Sequence, residues 1–133
     1  MIVAFPKLET AKNIKNVLVR NGYLVQNVCT TGTQAAALAD GLSDGLLICS
    51  YRLSDMLCTE LREYVPPDFE LLVVASPGTL QENLGSDFVS LALPLKINEL
   101  LSTVAMMEEN MRQRRKKRRE TKRTRSESDE KVI

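Results

Sequence analysis

One apolar run constrains the fold of this chain more than any other stretch. Gly45-Leu46-Leu47-Ile48-Cys49-Ser50-Tyr51 contains no charged side chain and lies between Asp44 and Arg52. A short apolar run of this kind predicts a strand that is covered on both faces, as in a parallel sheet flanked by helices. The working crevice of such sheets lies at the carboxyl ends of the strands, so Ser50 is the first candidate site residue.

Strands and helices are predicted to alternate along the first 110 residues. Four further apolar runs predict strands at 2–5, 23–29, 70–75 and 88–93. Helical spacing predicts helices at 8–20, 34–39 and 56–64, a short helix between 76 and 87, and an extended last helix from Ile97. This alternation predicts an α/β fold with a doubly wound, five-stranded parallel sheet in the order 2-1-3-4-5, as in flavodoxin-like and receiver-like domains.

Charge is distributed unevenly along the chain. Residues 1–111 carry seven basic and thirteen acidic side chains, whereas residues 112–125 carry ten basic side chains and one acidic one, a net charge of +9. Ser126 and Asp129 have the spacing of a capping box and predict the beginning of another helix. We therefore predict a domain at 1–110, a basic helical linker at 111–125, and at 126–133 the start of a truncated C-terminal helical module.

Several classes of protein are excluded by composition. The cysteines Cys29, Cys49 and Cys58 have no Cys-x-x-Cys spacing, and the chain has no histidine. We therefore expect buried free thiols, with neither a metal site nor a bound cofactor. The apolar stretch at 1–5 ends at Pro6, and no run approaches the ~20 residues of a membrane span. These features predict a cytoplasmic protein without a membrane partner.

The last helix carries apolar side chains at heptad spacing. Positions of type a and d fall on Ile97, Leu100, Val104, Met107 and Met111, over two heptads. The part from Ile97 to Val104 is expected to cover the sheet. Met107 and Met111 extend past the expected edge of the domain, so this seam predicts pairing with a second helix and hence a homodimer.

The basic tract that follows, residues 112–125, is a candidate contact surface for nucleic-acid phosphates. Its basic side chains are Arg112, Arg114, Arg115, Lys116, Lys117, Arg118, Arg119, Lys122, Arg123 and Arg125. Phosphate contacts give an affinity that is sensitive to salt and independent of base sequence. The tract contains no aromatic residue, so base stacking is not expected from it. A solvated linker or tail is the alternative interpretation.

The predicted layout, together with Pro94-Leu95-Lys96-Ile97-Asn98-Glu99-Leu100-Leu101 at the entry to the last helix, resembles the receiver domain of bacterial two-component response regulators. The resemblance covers residues 1 to about 110. Such receivers carry an acidic pair after the first strand, a phosphate-accepting aspartate ending the third, a Thr or Ser after the fourth and Lys-Pro after the fifth. In this chain the corresponding residues are Phe5, Pro6, Ser50, Ser76 and Leu93 with Pro94.

These residues form a degenerate phosphoacceptor pocket. Magnesium needs carboxylate oxygens, which Phe5 and Pro6 do not have. Ser50 has no histidine to activate it, and Leu93 cannot neutralise a phosphoryl oxygen. We predict a pseudo-receiver with no catalytic residue, in which Phe5, Ser50 and Leu93 pack into the former pocket. A flavodoxin-like phosphate loop is not indicated either, because residues 6–10 contain no glycine.

A pseudo-receiver followed by a long helix, a basic tract and a helix start resembles the N-terminal part of ANTAR-type transcription antitermination regulators. The resemblance implies a non-enzymatic regulator that forms a dimer through residues 97–111 and binds RNA through a C-terminal helical module. A sensor or another signalling protein is a further expected partner. A receiver-like domain of a DNA-binding response regulator and a standalone protein-interaction scaffold are the alternatives.

Overall fold

The computed structural model describes residues 1–42, 44–83 and 88–132, and within these ranges it describes the side chains up to residue 80 and from 88 to 117. The strands are β1 (Ile2–Ala4), β2 (Asn27–Cys29), β3 (Gly45–Ser50), β4 (Phe69–Ala75) and β5 (Val89–Ala92). The helices are α1 (Leu8–Arg20), α2 (Gly32–Asp40), α3 (Cys58–Tyr64), α4 (Pro77–Asn83) and α5 (Ile97–Val132).

All five strands form one parallel sheet in the order β2-β1-β3-β4-β5, which confirms the predicted fold class. β3 lies at its centre and pairs with β4 over six register positions, from Gly45 opposite Phe69 to Ser50 opposite Val74. Leu47, Ile48 and Cys49 are completely buried. The central strand is therefore covered on both faces, as its continuous apolar sequence predicts.

The first helix has its predicted bounds. Its buried side chains are Ala11, Ile14 and Leu18, at the spacing of one helical face. Gly22 follows the helix with φ of +89°, and the Tyr23 N–H donates to the Leu18 carbonyl oxygen at 3.0 Å. Glycine adopts this left-handed conformation without a steric penalty, so it ends the helix where the sequence predicts.

Three predicted boundaries differ from the observed ones by two residues or more. α3 begins at Cys58 and not at the predicted Met56, because the Met56 carbonyl oxygen accepts a hydrogen bond from the Leu53 N–H at 2.9 Å and Leu57 forms a bridge with Arg52. β2 contains Asn27–Cys29 and not the predicted 23–29, since the three-residue β1 offers only three register partners. Leu24, inside the predicted strand, is 74% exposed. α2 begins at Gly32, two residues earlier than predicted, because the Thr31 side chain accepts a hydrogen bond from the Gln34 N–H at 3.2 Å and caps the helix.

The last helix is continuous over a longer stretch than the sequence indicates. α5 includes the basic tract, and Ser126, where we expected a new helix to begin, lies inside it and is not a helix boundary. Basic residues of high helix propensity and the absence of Gly and Pro in this stretch are consistent with an unbroken helix. The division of these residues into a linker and a further module stays a prediction.

The chain divides into two compact units. The first, Met1–Leu101, holds the sheet and the first turn of α5, and the second, Ser102–Ile133, holds the rest of α5. Over the described ranges, none of the helices is both long enough and apolar enough to cross a membrane.

Candidate functional site

The carboxyl edge of the sheet brings together the residues of the predicted degenerate pocket. Phe5 comes directly after β1, Ser50 ends β3, Ser76 follows β4 and Leu93 follows β5. Because the strands are parallel and adjacent, all four residues lie at the same edge. The residues that the sequence analysis grouped together therefore lie at one edge of the sheet, and their role as a degenerate pocket stays a prediction.

Backbone hydrogen bonds extend the strand pairing into this edge. The Phe5 N–H donates to the Cys29 carbonyl oxygen at 3.2 Å, and the Leu93 N–H donates to the Ala75 carbonyl oxygen at 2.9 Å. Between them, the Tyr51 N–H donates to the Val74 carbonyl oxygen at 3.0 Å. These bonds hold the backbone on both sides of the candidate pocket in the register of the sheet.

The pocket residues differ in how deeply they are buried. Phe5 is only 6% exposed, so its ring is packed inside the first unit, as we expected. Ser50 is half-buried and Pro6 is exposed. Leu93 is 49% exposed and therefore does not pack into the pocket as predicted. It follows β5, an edge strand with a neighbour on one side only, and less of the sheet is available to cover it.

Ser76 is used locally at the beginning of α4. Its hydroxyl lies 2.9 Å from the Thr79 hydroxyl, and its carbonyl oxygen accepts a hydrogen bond from the Leu80 N–H at 3.1 Å. Such contacts are typical of a residue that caps the first turn of a helix.

The side-chain chemistry of the five pocket residues is limited to the hydroxyl groups of Ser50 and Ser76. None of the five pocket residues carries a carboxylate, and the chain has no histidine. Among the side chains that the structure describes, at 1–42, 44–80 and 88–117, no three from His, Cys, Asp or Glu are arranged to hold a metal ion. A serine at its free pKa is a weak nucleophile, so this arrangement does not support phosphoryl transfer to Ser50.

The three thiols are buried, as the sequence predicts, and all are free. Burial raises the pKa of Cys29 and of Cys58 to about 11 and raises the pKa of Cys49 further above its usual range. The thiolate is the form that attacks electrophiles and binds metals, so these cysteines act as small apolar side chains at neutral pH.

Asp55 makes a tertiary contact that the sequence analysis missed. Its carboxylate accepts hydrogen bonds from the Gly32 N–H at 2.7 Å, the Thr33 N–H at 3.0 Å and the Thr33 hydroxyl at 2.7 Å. These bonds, chiefly the one from the Thr33 hydroxyl, hold the pKa of Asp55 below its usual value. The loop after β3 is thereby tied to the beginning of α2, which lies 22 to 23 residues earlier in the chain. No local pattern in the sequence signals such a distant cap.

The predicted dimer seam has one exposed member. Ile97 is 57% exposed, whereas Leu100, Val104, Met107 and Met111 are each no more than 6% exposed. Ile97 also lines a groove of about 220 Å³ within the first unit, together with Ile14, Val17, Leu95 and Leu100. The burial of Met107 and Met111 contradicts the expectation that these two side chains extend past the domain and are available for pairing. Contact of the seam with a second chain stays a prediction.

The basic tract begins on an exposed part of α5. The described members, Arg112, Arg114, Arg115, Lys116 and Lys117, are all exposed. Arg112 forms an ion pair with Glu109 at 3.2 Å, one turn earlier in the helix. The side chains of Arg118, Arg119, Lys122, Arg123 and Arg125 lie outside those that the structure describes.

Solved structures of receiver domains share this fold. The chain is similar to the signal receiver domain of an HD domain-containing protein from Pseudomonas fluorescens, with a TM-score of 0.74 and 18% identity over 86% of this chain and 90% of that one. A two-component transcriptional regulator AraC from Clostridium phytofermentans gives a TM-score of 0.73 and 13% identity, over 86% of this chain and 94% of that one.

A third similar structure is a response regulator receiver modulated diguanylate cyclase from Pelobacter carbinolicus, with a TM-score of 0.68 and 18% identity over 84% of this chain and 92% of that one. No protein-family model and no curated protein matches the sequence. At these identities the likenesses establish the fold of a receiver domain.

Proposed function

We propose that this chain, which has the fold of response-regulator receiver domains, is a non-enzymatic cytoplasmic regulator that transmits signals without being phosphorylated. The observation that carries the proposal is the composition of the carboxyl edge of the sheet. By the resemblance to receivers, Phe5, which is 6% exposed, and Ser50 correspond to positions at which a receiver carries carboxylates. A sensor or another signalling protein is the proposed upstream partner.

Without a carboxylate at these positions, the chain can neither form an acyl phosphate nor bind the magnesium ion that the receiver reaction uses. An acyl phosphate forms only on a carboxylate, and Ser50 offers an alcohol without a base. A magnesium ion that bridges phosphoryl oxygens needs one or two carboxylates, and the aromatic ring of Phe5 offers none. Signalling by this fold therefore depends on protein contacts or on a change in oligomeric state.

Incubation with acetyl phosphate and Mg²⁺ is expected to leave the protein unmodified, because Ser50 is a poor phosphoryl acceptor. Intact-mass spectrometry measures this directly. A response regulator that has its aspartate serves as the control and becomes labelled under the same conditions. Stoichiometric phosphorylation of this chain, at Ser50 or at a carboxylate, contradicts the proposal.

The proposed regulator is a homodimer that pairs through the last helix. Ile97 supports this because it combines an exposed apolar side chain with an adjoining apolar groove. A partner helix that covers Ile97 removes apolar surface from water, a gain of roughly 25 cal/mol for each Å² buried.

The full chain is expected to sediment as a dimer whose population rises with concentration, and Ile97→Glu is expected to shift it toward monomer. Because Ile97 is exposed, this change leaves the interior of the protein intact. Val19→Glu, at a position of α1 that is 50% exposed, is the matched control and retains the dimer. A monomer at all concentrations of the unaltered chain refutes the pairing.

The basic tract is proposed to contact nucleic-acid phosphates, and the exposure of its five described basic side chains supports this role. By analogy with ANTAR-type regulators, the specific ligand is RNA, bound by a C-terminal helical module in a longer parent protein. The reading frame after Ile133 tests this. A compact helical module there favours RNA, whereas a helix-turn-helix pattern contradicts the RNA assignment and favours DNA.

A further inference from the structure

A groove between α2 and α3 has no role in the function proposed above. It lies within the first unit, opens to solvent and has a volume of about 500 Å³. Clefts of about 300–1,000 Å³ are large enough to take up a ligand or several side chains of a partner. Its apolar lining comes from Ala36 and Ala37 of α2 and from Met56 in front of α3, and Ala36 and Met56 also pack on the core.

Three carboxylates and one aromatic ring border this α2–α3 groove. Asp40 ends α2, Glu60 lies in α3, and the Tyr64 side chain is 61% exposed. Within the part of the chain that the structure describes, neither the Asp40 carboxylate nor the Glu60 carboxylate accepts a hydrogen bond or forms an ion pair. Asp55, the third acid at the groove, is already bound to the N–H groups of Gly32 and Thr33.

The two helices supply no cation of their own to this groove. α2 contains no basic residue, and the one basic residue of α3, Arg62, donates to the carbonyl oxygens of Pro66, at 2.8 Å, and Phe69. The groove therefore suits a cationic side chain whose alkyl stem packs on the apolar lining while its charged head reaches a carboxylate. A guanidinium group also stacks favourably on an exposed tyrosine ring.

We propose that the α2–α3 groove binds the basic tract of a second copy of this chain. Residues 1–111 carry a net charge of −6 and residues 112–125 carry +9, so these two parts of different copies attract each other. The tract is presented on a helix, so its basic side chains three and four positions apart lie on the same face. α5 is continuous from Ile97 through the tract, so the tract is a helical segment that a second copy can present.

This contact gives the basic tract two competing ligands. Side chains held in the groove of a second copy are not available to phosphates, so a nucleic acid and the groove compete for the same charges. The contact does not require the pairing of the last helices, and its failure leaves the proposed receiver-like function unchanged.

The first test measures binding of a fluorescently labelled peptide with the sequence of residues 112–125 to the full-length chain by anisotropy at low salt. Asp40→Asn with Glu60→Gln is expected to weaken binding by about 2- to 30-fold, the range for the loss of two exposed ion pairs. The control variant, Glu9→Gln with Glu63→Gln, also removes two negative charges, but outside the groove. It is expected to weaken peptide binding less than the groove variant does. Equal weakening by both double variants, or no binding at all, overturns the proposal.

The second test identifies the source of the tract. Unlabelled and ¹⁵N-labelled full-length chains are mixed and treated with a carbodiimide, which joins a carboxylate to a lysine amine in contact with it. Mass spectrometry is expected to find mixed-isotope links between Asp40 or Glu60 and Lys116, Lys117 or Lys122. Links to these carboxylates that join only chains of the same isotope, or links confined to other carboxylates, overturn the assignment to a second copy.

Discussion

The affinity of this chain for single-stranded RNA is expected to fall by about 10²- to 10⁴-fold between ~50 and ~200 mM monovalent salt, for six to ten phosphate contacts. The physical reason is the release of counterions, at a slope of about −0.7 for each phosphate of a single strand. Binding is expected to be insensitive to base sequence, because the tract contains no aromatic residue to stack on bases. Anisotropy titrations across a series of salt concentrations measure the slope.

Removal of four charges from the tract is expected to make that slope shallower by about 3. The variant changes Arg112, Arg114, Arg115 and Lys116 to Gln. The matched control removes four charges outside the tract, at Lys7, Lys12, Lys15 and Arg20, and is expected to keep the slope. Equal effects of the two variants would show that general attraction, and not the tract, holds the RNA.

Phe69→Ala is expected to lower the free energy of unfolding by about 3–5 kcal/mol, the range for truncation of a buried aromatic side chain. Phe69 is 1% exposed and belongs to the core cluster beneath α2 and α3. Its ring fills the space beside Gly45, where an added Cβ would lie only 3.0 Å from the ring. Gly45 has φ of +154°, a conformation that favours glycine, and it has no side chain of its own that could fill the space left by the ring.

Urea denaturation measures this loss as a shift of the midpoint at constant slope. Tyr64→Ala is the matched control, because Tyr64 is also aromatic but 61% exposed, and it is expected to change stability by at most about 0.5 kcal/mol. If Phe69→Ala abolishes cooperative unfolding, Phe69→Leu provides a milder truncation for the measurement. Equal, small effects at the two positions would contradict the packing of Phe69.

Several elements were predictable because their signals are local. The strand at Gly45–Ser50 was recognised from an uninterrupted apolar run, and the helix Leu8–Arg20 from its apolar spacing and the Asn21-Gly22 stop. The place of Ser50 followed from a rule about parallel sheets, so the sequence sufficed to put it at the carboxyl edge. In each case the information lies within a few residues or in the order of the elements.

Other features were decided by partners that are distant in sequence. The length of β2 is set by β1, which offers three pairing residues, and the exposure of Leu93 depends on its place beside an edge strand. Asp55 caps a helix that begins 23 residues before it. Helix and strand propensities and apolar periodicity describe only residues that are close in sequence. They cannot predict these contacts, which are seen only in the folded structure.

The sequence by itself determined the alternation of strands and helices, the uneven distribution of charge and the identity of the residues at the end of β3, because these follow from local periodicity and from counting. Only the tertiary structure decided which side chains are withdrawn from water and which remain available. It buries Phe5 while leaving Leu93 exposed, and it forms a groove between α2 and α3 from residues up to 31 positions apart. Burial is a property of packing between elements, and so it is determined by the whole fold.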